Sequence, residues 1–293
     1  MPEGHSIHRL ARQFTDVFGG QRLRASSPQG RFTEGAALLD GAELERAWAH
    51  GKHFFADLST GHVLNVHLGM YGAWTFGGDE TFSAASSIGA PRRIGEREDH
   101  TDADQGAVAP EPRRTVRLRL ESAHGWADLI GATTCRMLTP AEVGDVVGKL
   151  GPDPLNDDDP APFLERAGRT RRPIGVVLMD QSFIGGIGNI YRAESLFRAG
   201  LDPWRPARDL EESALRELYA DNQRLLREGV RLGRIVTTEP ADRPGVSAED
   251  AWPEHANYVY QRQGMVCLRC GEDAIVVEDM AARKLYRCTV CQG

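Results

Sequence analysis

An α+β chain built from more than one domain is predicted by three changes of pattern along the sequence. Ile7, Leu10, Ala11, Phe14 and Phe18 recur at helical spacing up to Gly19-Gly20, and from Gln21 to Phe76 short alternating runs rich in β-branched and aromatic residues take over. Thr139-Pro140-Ala141-Glu142 is a capping box with proline at the first helical position, which marks a switch to helices. Four of the five cysteines crowd the last 27 residues. The boundaries that follow are 1–138 for a sheet domain led by one helix, 139–255 for a helical domain and 256–293 for a cysteine-bearing hairpin.

Each element has its own warrant. The first helix places Pro2 and Glu3 at its mouth, where the partial positive charge of a helix N-terminus favours an unprotonated amine and a nearby phosphate alike. Lys52 follows Gly51 at a strand entry; on position alone a solvated turn lysine is the favoured reading. His50, His53, His62 and His67 lack tight metal-ligand spacing and read as surface or packed residues. His67-Leu68-Gly69-Met70-Tyr71-Gly72 sets a Met-Tyr pair between glycines, a core pair or an exposed loop able to fill a gap in a base stack. Residues 77–112 are poor in large apolar groups and read as an extended, disordered insertion. Strands at Thr115 to Glu121 and Gly125 to Ile130 close the sheet domain. Helices are expected over 173–179, 190–199 and 209–232, and the proline-bearing stretch 233–255 reads as linker.

Composition bounds the classes. No run of 18 apolar residues and no basic-then-apolar leader occurs, so neither a membrane span nor a signal peptide is expected, and the cytoplasm is the expected compartment. A net charge of −7 argues against a nucleic-acid partner, yet the 77–112 segment alone carries −5 of it, leaving −2 for the rest. Only Lys52, Lys149 and Lys284 are lysines among 35 basic residues, which singles each of them out.

Three constellations carry chemistry. Removal of Met1 would leave Pro2 with a free secondary amine, of pKa near the α-amino reference of about 8, able to attack a sugar aldehyde carbon and form an iminium Schiff base with Glu3 as the neighbouring acid. Cys267-x2-Cys270 and Cys288-x2-Cys291 have the spacing of a four-thiolate zinc site, structural because no coordination position is left open. Between these knuckles stand Arg283, Lys284, Tyr286 and Arg287, a basic and aromatic tip. Finally, Gly185-Gly186-Ile187-Gly188-Asn189-Ile190-Tyr191 departs from the dinucleotide fingerprint; its turns would aim N–H groups at a phosphate, with Asn189 as helix cap and donor. A glycine-rich helix hairpin without a ligand fits the same residues.

The combination of Met1-Pro2-Glu3-Gly4, Gly51-Lys52, His67-Leu68-Gly69-Met70-Tyr71-Gly72, Gly185 to Tyr191 and the four cysteines resembles the formamidopyrimidine-DNA glycosylase and endonuclease VIII family over nearly the whole chain outside 77–112. The resemblance implies an N-terminal β-sandwich, a helix-two-turn-helix domain and a C-terminal zinc finger β-hairpin. It also implies a monomeric base excision repair enzyme of the bacterial cytoplasm, acting on double-stranded DNA with a damaged base or an abasic site. Carried over by position, Pro2 is the Schiff-base nucleophile, Glu3 the proton shuttle and Lys52 a phosphate-binding catalytic aid. Asn189 and Arg283 would grip phosphates, while Met70, with Tyr71, fills the space of the extruded nucleotide. Cys267, Cys270, Cys288 and Cys291 would hold one structural Zn2+.

Departures from the family pattern bear on substrate. Ser6 stands where bacterial members commonly place a second carboxylate. Trp126-Ala127-Asp128-Leu129-Ile130-Gly131 replaces the Arg-Arg-Phe-Gly loop of members that excise oxidised guanine, and Tyr71 is similar to endonuclease VIII. Oxidised pyrimidines are therefore the expected substrates, with uracil and bare abasic sites left open beside them, and the base is released before β,δ-elimination. An abasic-site lyase with little base removal is the alternative; a noncatalytic zinc-ribbon protein that binds damaged DNA would leave Pro2, Glu3 and Lys52 unexplained.

Overall fold

A computed structural model describes residues 2–79, 82, 85–90 and 109–293. The chain forms two compact units, Met1–Gly148 and Lys149–Gly293.

In the first unit, α1 (Gly4–Phe18) is followed by β1 (Arg24–Ser26), α2 (Thr33–Leu39), β2 (Leu44–His50), β3 (His53–Leu58), β4 (Val63–His67), β5 (Ala73–Gly78), β6 (Ser87–Gly89), β7 (Val116–Glu121), β8 (Gly125–Ile130), β9 (Thr134–Leu138) and α3 (Pro140–Val147). Among the described residues the strands make two antiparallel sheets, ordered β1-β7-β8-β5-β6 and β2-β3-β4-β9. One core joins them to α1: Ile7, Leu10, Phe14 and Phe18 pack with Phe54, Leu64 and Val66 of one sheet and Trp74, Phe76, Leu118 and Leu129 of the other. Phe14 is the meeting point, with ring centroids 4.7 Å from Phe54 and 4.9 Å from Trp74. Burying such a ring contributes about 2–3 kcal/mol.

Several elements differ from the sequence reading. Helix α2 lies inside the stretch read as strands; its Gly35, Ala36 and Leu39 are buried. Within the expected insertion, β6 pairs with β5, and Ala85 and Ile88 enter the core. Residues 80, 81, 83, 84 and 91–108 of it lie outside the described residues. Strand β9, absent from the sequence reading, completes the second sheet by pairing with β4. The capping box at Thr139 and Glu142 is present in both directions, but the helix it starts packs Val143, Val146 and Val147 on Phe55, Val63 and Leu138 of the sheet. The units therefore divide one helix later than the expected boundary.

The second unit contains α4 (Ala161–Ala167), α5 (Ile174–Val177), α6 (Asn189–Arg198), α7 (Glu212–Leu232), α8 (Pro253–Ala256) and the hairpin of β10 (Ile275–Met280) and β11 (Arg283–Cys288). Helix α7 buries Leu215, Leu218, Leu225 and Leu226 against Phe163, Ile174, Ile184 and Tyr191. The stretch read as linker is packed: Val236, Ala251 and Ala256 form a small core of their own. Hairpin and helices share this unit, because Phe197 and Ala193 of α6 pack with Tyr258, Val259 and Ile275.

Candidate DNA-repair site

Helix α1 begins immediately after Glu3, whose backbone carbonyl accepts from the N–H groups of Ser6 (3.0 Å) and Ile7 (3.4 Å). Its carboxylate is not the cap. Pro2 and Glu3 are both buried, Glu3 completely. His5, one residue on, is buried against Ser6, whose hydroxyl lies 3.1 Å from its Nε2. Burial first, then the positive charges of the chain terminus, Arg9 and His8, hold its pKa down to about 3, so His5 is neutral at neutral pH. Ser6 thus sets its hydroxyl beside a neutral imidazole.

Lys52 occupies the second position of a two-residue turn, with His50 and His53 paired across it. Gly51 has φ +58° and Lys52 does not share that region, the pattern of a type II′ turn that matches the twist of its strands. Helix α1 packs on both strands of this hairpin. Lys52 is close enough to His67 to lower its pKa, second only to burial.

His67 leads into the turn that presents Met70 and Tyr71. Its Nδ1 accepts from the Gly69 N–H at 3.1 Å, and Gly72 N–H closes the turn on the Leu68 carbonyl at 3.0 Å. Gly69 has φ +67°, and a Cβ there would sit 1.9 Å from the Thr133 hydroxyl oxygen, so only glycine fits. Of the two readings of Met70-Tyr71, the exposed loop is the one found: Met70 is 36% and Tyr71 75% exposed.

The second unit holds the other expected residues. The Gln181 side chain organises the double turn, its Oε1 accepting from Gly186 N–H (3.0 Å) and its Nε2 donating to the Ile187 carbonyl (2.9 Å). Gly188, not Asn189, is the N-cap of α6, so the expected capping by Asn189 is corrected. The Asn189 side chain turns to the hairpin instead. Its Nδ2 donates to the Lys284 carbonyl at 2.8 Å, and its Oδ1 accepts from Arg192 Nη2 at 2.5 Å. Arg192, fully buried, also donates to the Lys284 carbonyl at 3.1 Å.

Arg283 is exposed and follows the hairpin turn, whose central residues Ala281 and Ala282 have φ of +51° and +59°. Two positive φ values make a type I′ turn, which ordinarily selects Asn-Gly. The cysteine Sγ atoms lie within 4.8 Å of one another, with Cys267–Cys291 at 3.9 Å and Cys270–Cys288 at 3.7 Å. A tetrahedron with metal–sulfur bonds of about 2.3 Å has edges of about 3.8 Å, so these donors fit one zinc ion.

Sequence reasoning missed two features. Glu194 is a fully buried carboxylate: Oε1 accepts from Val259 and Tyr260 N–H (2.9 and 2.7 Å), and Oε2 from Tyr258 N–H (2.7 Å) and the Thr237 hydroxyl (2.5 Å). The other is a polar array on the outer face of the second sheet. Asn65, fully buried, donates to the Phe54 carbonyl (3.1 Å) and lies 3.5 Å from His53 Nδ1, while its Oδ1 accepts from Arg136 Nε at 3.3 Å. The period-two spacing of His53 and Phe55 against His67 and Asn65 was the available signal for it.

Comparison with known proteins follows the same division. Residues 1–127 match the formamidopyrimidine-DNA glycosylase N-terminal domain, and residues 150–240 the formamidopyrimidine-DNA glycosylase H2TH domain. Endonuclease 8 1 of Mycobacterium tuberculosis is 40% identical over 294 residues, covering 100% of both chains. The formamidopyrimidine-DNA glycosylase of Thermus thermophilus is 30% identical over 297 residues, covering 100% of this chain and 99% of that one. A solved complex of Lactococcus lactis Fpg with DNA containing an abasic site shares the fold at a TM-score of 0.75, with 21% identity and 99% of each chain covered. No helix among the described residues is long and apolar enough to cross a membrane.

Proposed function

The chain belongs to the formamidopyrimidine-DNA glycosylase and endonuclease VIII family, DNA glycosylases of base excision repair with AP lyase activity, and on that premise we propose that it removes oxidised pyrimidines through Pro2 and cuts the strand by β,δ-elimination. One observation carries the proposal. Pro2 stands directly ahead of a 15-residue helix with Glu3 as its N-cap residue, so the amine freed by loss of Met1 and one carboxylate share the positive end of α1.

In the proposed sequence the Pro2 nitrogen bonds to C1′ as the glycosidic bond breaks, and the base departs with a proton. Glu3 protonates O4′ as the sugar ring opens, and loss of the nitrogen's proton leaves the iminium. Removal of a C2′ proton expels the 3′ phosphate, removal of a C4′ proton expels the 5′ phosphate, and hydrolysis returns the free amine. Lys52 and Arg283 bind phosphates. The Asn189 amide is engaged by Lys284, so Asn189 contributes through its backbone N–H at the start of α6 and by holding the strand that carries Arg283. Met70 and Tyr71, exposed on their turn, take the space of the extruded nucleotide. Zinc, held by Cys267, Cys270, Cys288 and Cys291, closes the β10–β11 hairpin. The working partner is double-stranded DNA, bound by a monomer in the cytoplasm.

The reading is tested by borohydride trapping on an oligonucleotide with one abasic site, followed by peptide mapping. A cross-link at Pro2 is expected; with Met1 confirmed absent and DNA bound, no cross-link would overturn it. Lesion preference is tested separately, and 8-oxoguanine opposite cytosine cut faster than 5-hydroxyuracil or thymine glycol would refute the pyrimidine assignment.

A further inference from the structure

The second sheet buries one face in the main core; on the other, among the described residues, Phe55, Val63 and Leu138 pack with α3, with Trp48 beside them. Toward the Lys52 turn that outer face carries polar groups. By register, His50, His53, His67 and Thr134 form one row across the four strands, and Trp48, Phe55, Asn65 and Arg136 the next.

Donors prevail in this array. Asn65 Nδ2 faces His53 Nδ1 and Gly69 N–H donates to His67 Nδ1, which assigns both imidazoles, when neutral, to the tautomer with the proton on Nε2. Each ring therefore keeps an N–H that is not used by the array. The rings meet edge to face at 5.0 Å. Arg136 is exposed, is held through Nε by Asn65, and has no carboxylate within ion-pair distance among the described residues. By contrast, Arg172, Arg198 and Arg231 each sit in an ion pair. Two carboxylates of this region have hydrogen-bond partners of their own: Glu142 accepts from Thr139 while still feeling the charge of Arg136, and Asp57 accepts from Trp48 Nε1 at 3.0 Å. Buried Asn65, fixed at both ends of its amide, makes the arrangement a built one.

We propose that Arg136, oriented by Asn65, and His53 bind a second DNA phosphate beside the one assigned to Lys52. The assignment rests on the DNA-repair reading above. Arg136 lies two strands across from the hairpin strand that follows Lys52 and, by register, level with Phe55 three residues along it, so the two cations are more than about 10 Å apart at the usual strand spacing and serve different phosphates of the backbone. The contact reads no base.

The test is fluorescence anisotropy of the full chain on a duplex bearing a tetrahydrofuran abasic analogue, titrated over a range of NaCl concentrations. Arg136→Ala is expected to weaken binding about fivefold or more and to reduce the slope of log K against log salt by about 0.9, one phosphate's worth. Arg136→Lys should keep the slope, and His53→Ala should weaken binding without changing it, since the ring is a neutral donor. An Arg136→Ala variant with unchanged slope and affinity overturns the proposal, as does a loss of affinity in Arg136→Lys with the slope of the alanine variant. In either case wild-type trapping at Pro2 would leave the repair reading standing. Failure of the wild type to bind the abasic duplex would remove both.

Discussion

The Asn189 amide donates to the Lys284 carbonyl across 95 residues of sequence, so the first residue of α6 holds the strand that presents Arg283. Arg192 donates to the same carbonyl from one turn further along. Truncating Asn189 leaves that carbonyl one donor short and Arg192 without its acceptor on Asn189. Asn189→Ala should cost about 1–3 kcal/mol of stability in the second unit and weaken abasic-site DNA binding, read by thermal unfolding and anisotropy. Asn189→Asp, which exchanges the donor for an acceptor facing a carbonyl, should do worse.

The thiolate cluster predicts a metal-dependent hairpin. β10 and β11 bury little apart from Ile275, Met280, Leu285 and the cysteines, too small a core to hold without the ion. Purified protein should carry one zinc per chain by elemental analysis. Cys288→Ser should lose the metal and DNA affinity together, while the first unit keeps its cooperative melting.

Glu3 should separate binding from chemistry. Glu3→Gln keeps the size of a fully buried side chain but cannot shuttle a proton, so cleavage of abasic sites should fall by about 10²- to 10⁴-fold. Dissociation constants for the same duplex should stay within about threefold of the wild type. A variant that cuts at the wild-type rate would remove Glu3 from the mechanism.

Acid should destabilise the first unit through its neutral histidines. Folding lowers His5 from 6.5 to about 3 and His53 to about 4, each chiefly by burial. Above pH 6.5 neither state binds the proton, so the term is absent. As pH falls below 6.5 the unfolded chain takes up protons that the folded chain refuses, and stability drops until the folded pKa is reached. The slope approaches about 1.4 kcal/mol per pH unit for each histidine. Urea midpoints between pH 7 and 4 should show it, and His53→Gln should flatten the part contributed by that ring.

The Ala281-Ala282 turn predicts a gain. Both residues occupy the left-handed region, which costs an L-residue with a Cβ about 1–2 kcal/mol. Replacing the pair with Asn-Gly should stabilise the hairpin by about 1 kcal/mol or more after the entropy lost to glycine is counted. Arg283 keeps its position, so DNA affinity should hold while the midpoint of the second unit rises.

What the sequence disclosed depended on the range of the forces involved. Helix α1, the strand break at Gly51-Lys52 and the cysteine pairs rest on local periodicity, breaker residues and ligand spacing, and each was legible. Strand β6 is three residues long and exists through pairing with β5, so no local pattern could announce it. Helix α2 is seven residues with a glycine inside, too short for its period to separate from alternation. Asn189 looked like a cap because Asn favours that position; a partner 95 residues away outweighed the preference. The histidines at 53 and 67 carried no metal spacing, and only strand register showed that they face each other.

Helix α6 also has a mechanical consequence. Asn189 and Arg192 hold the tip strand of the hairpin, Glu194 clamps the chain at 258–260 where it heads for the first knuckle, and the backbone oxygens of Phe197 and Arg198 accept from Arg269 inside that knuckle. One ten-residue helix therefore splints the hairpin along its length. The glycine double turn runs directly into the near end of that splint, so the hairpin takes its position from the same helix whose first residue closes the turn.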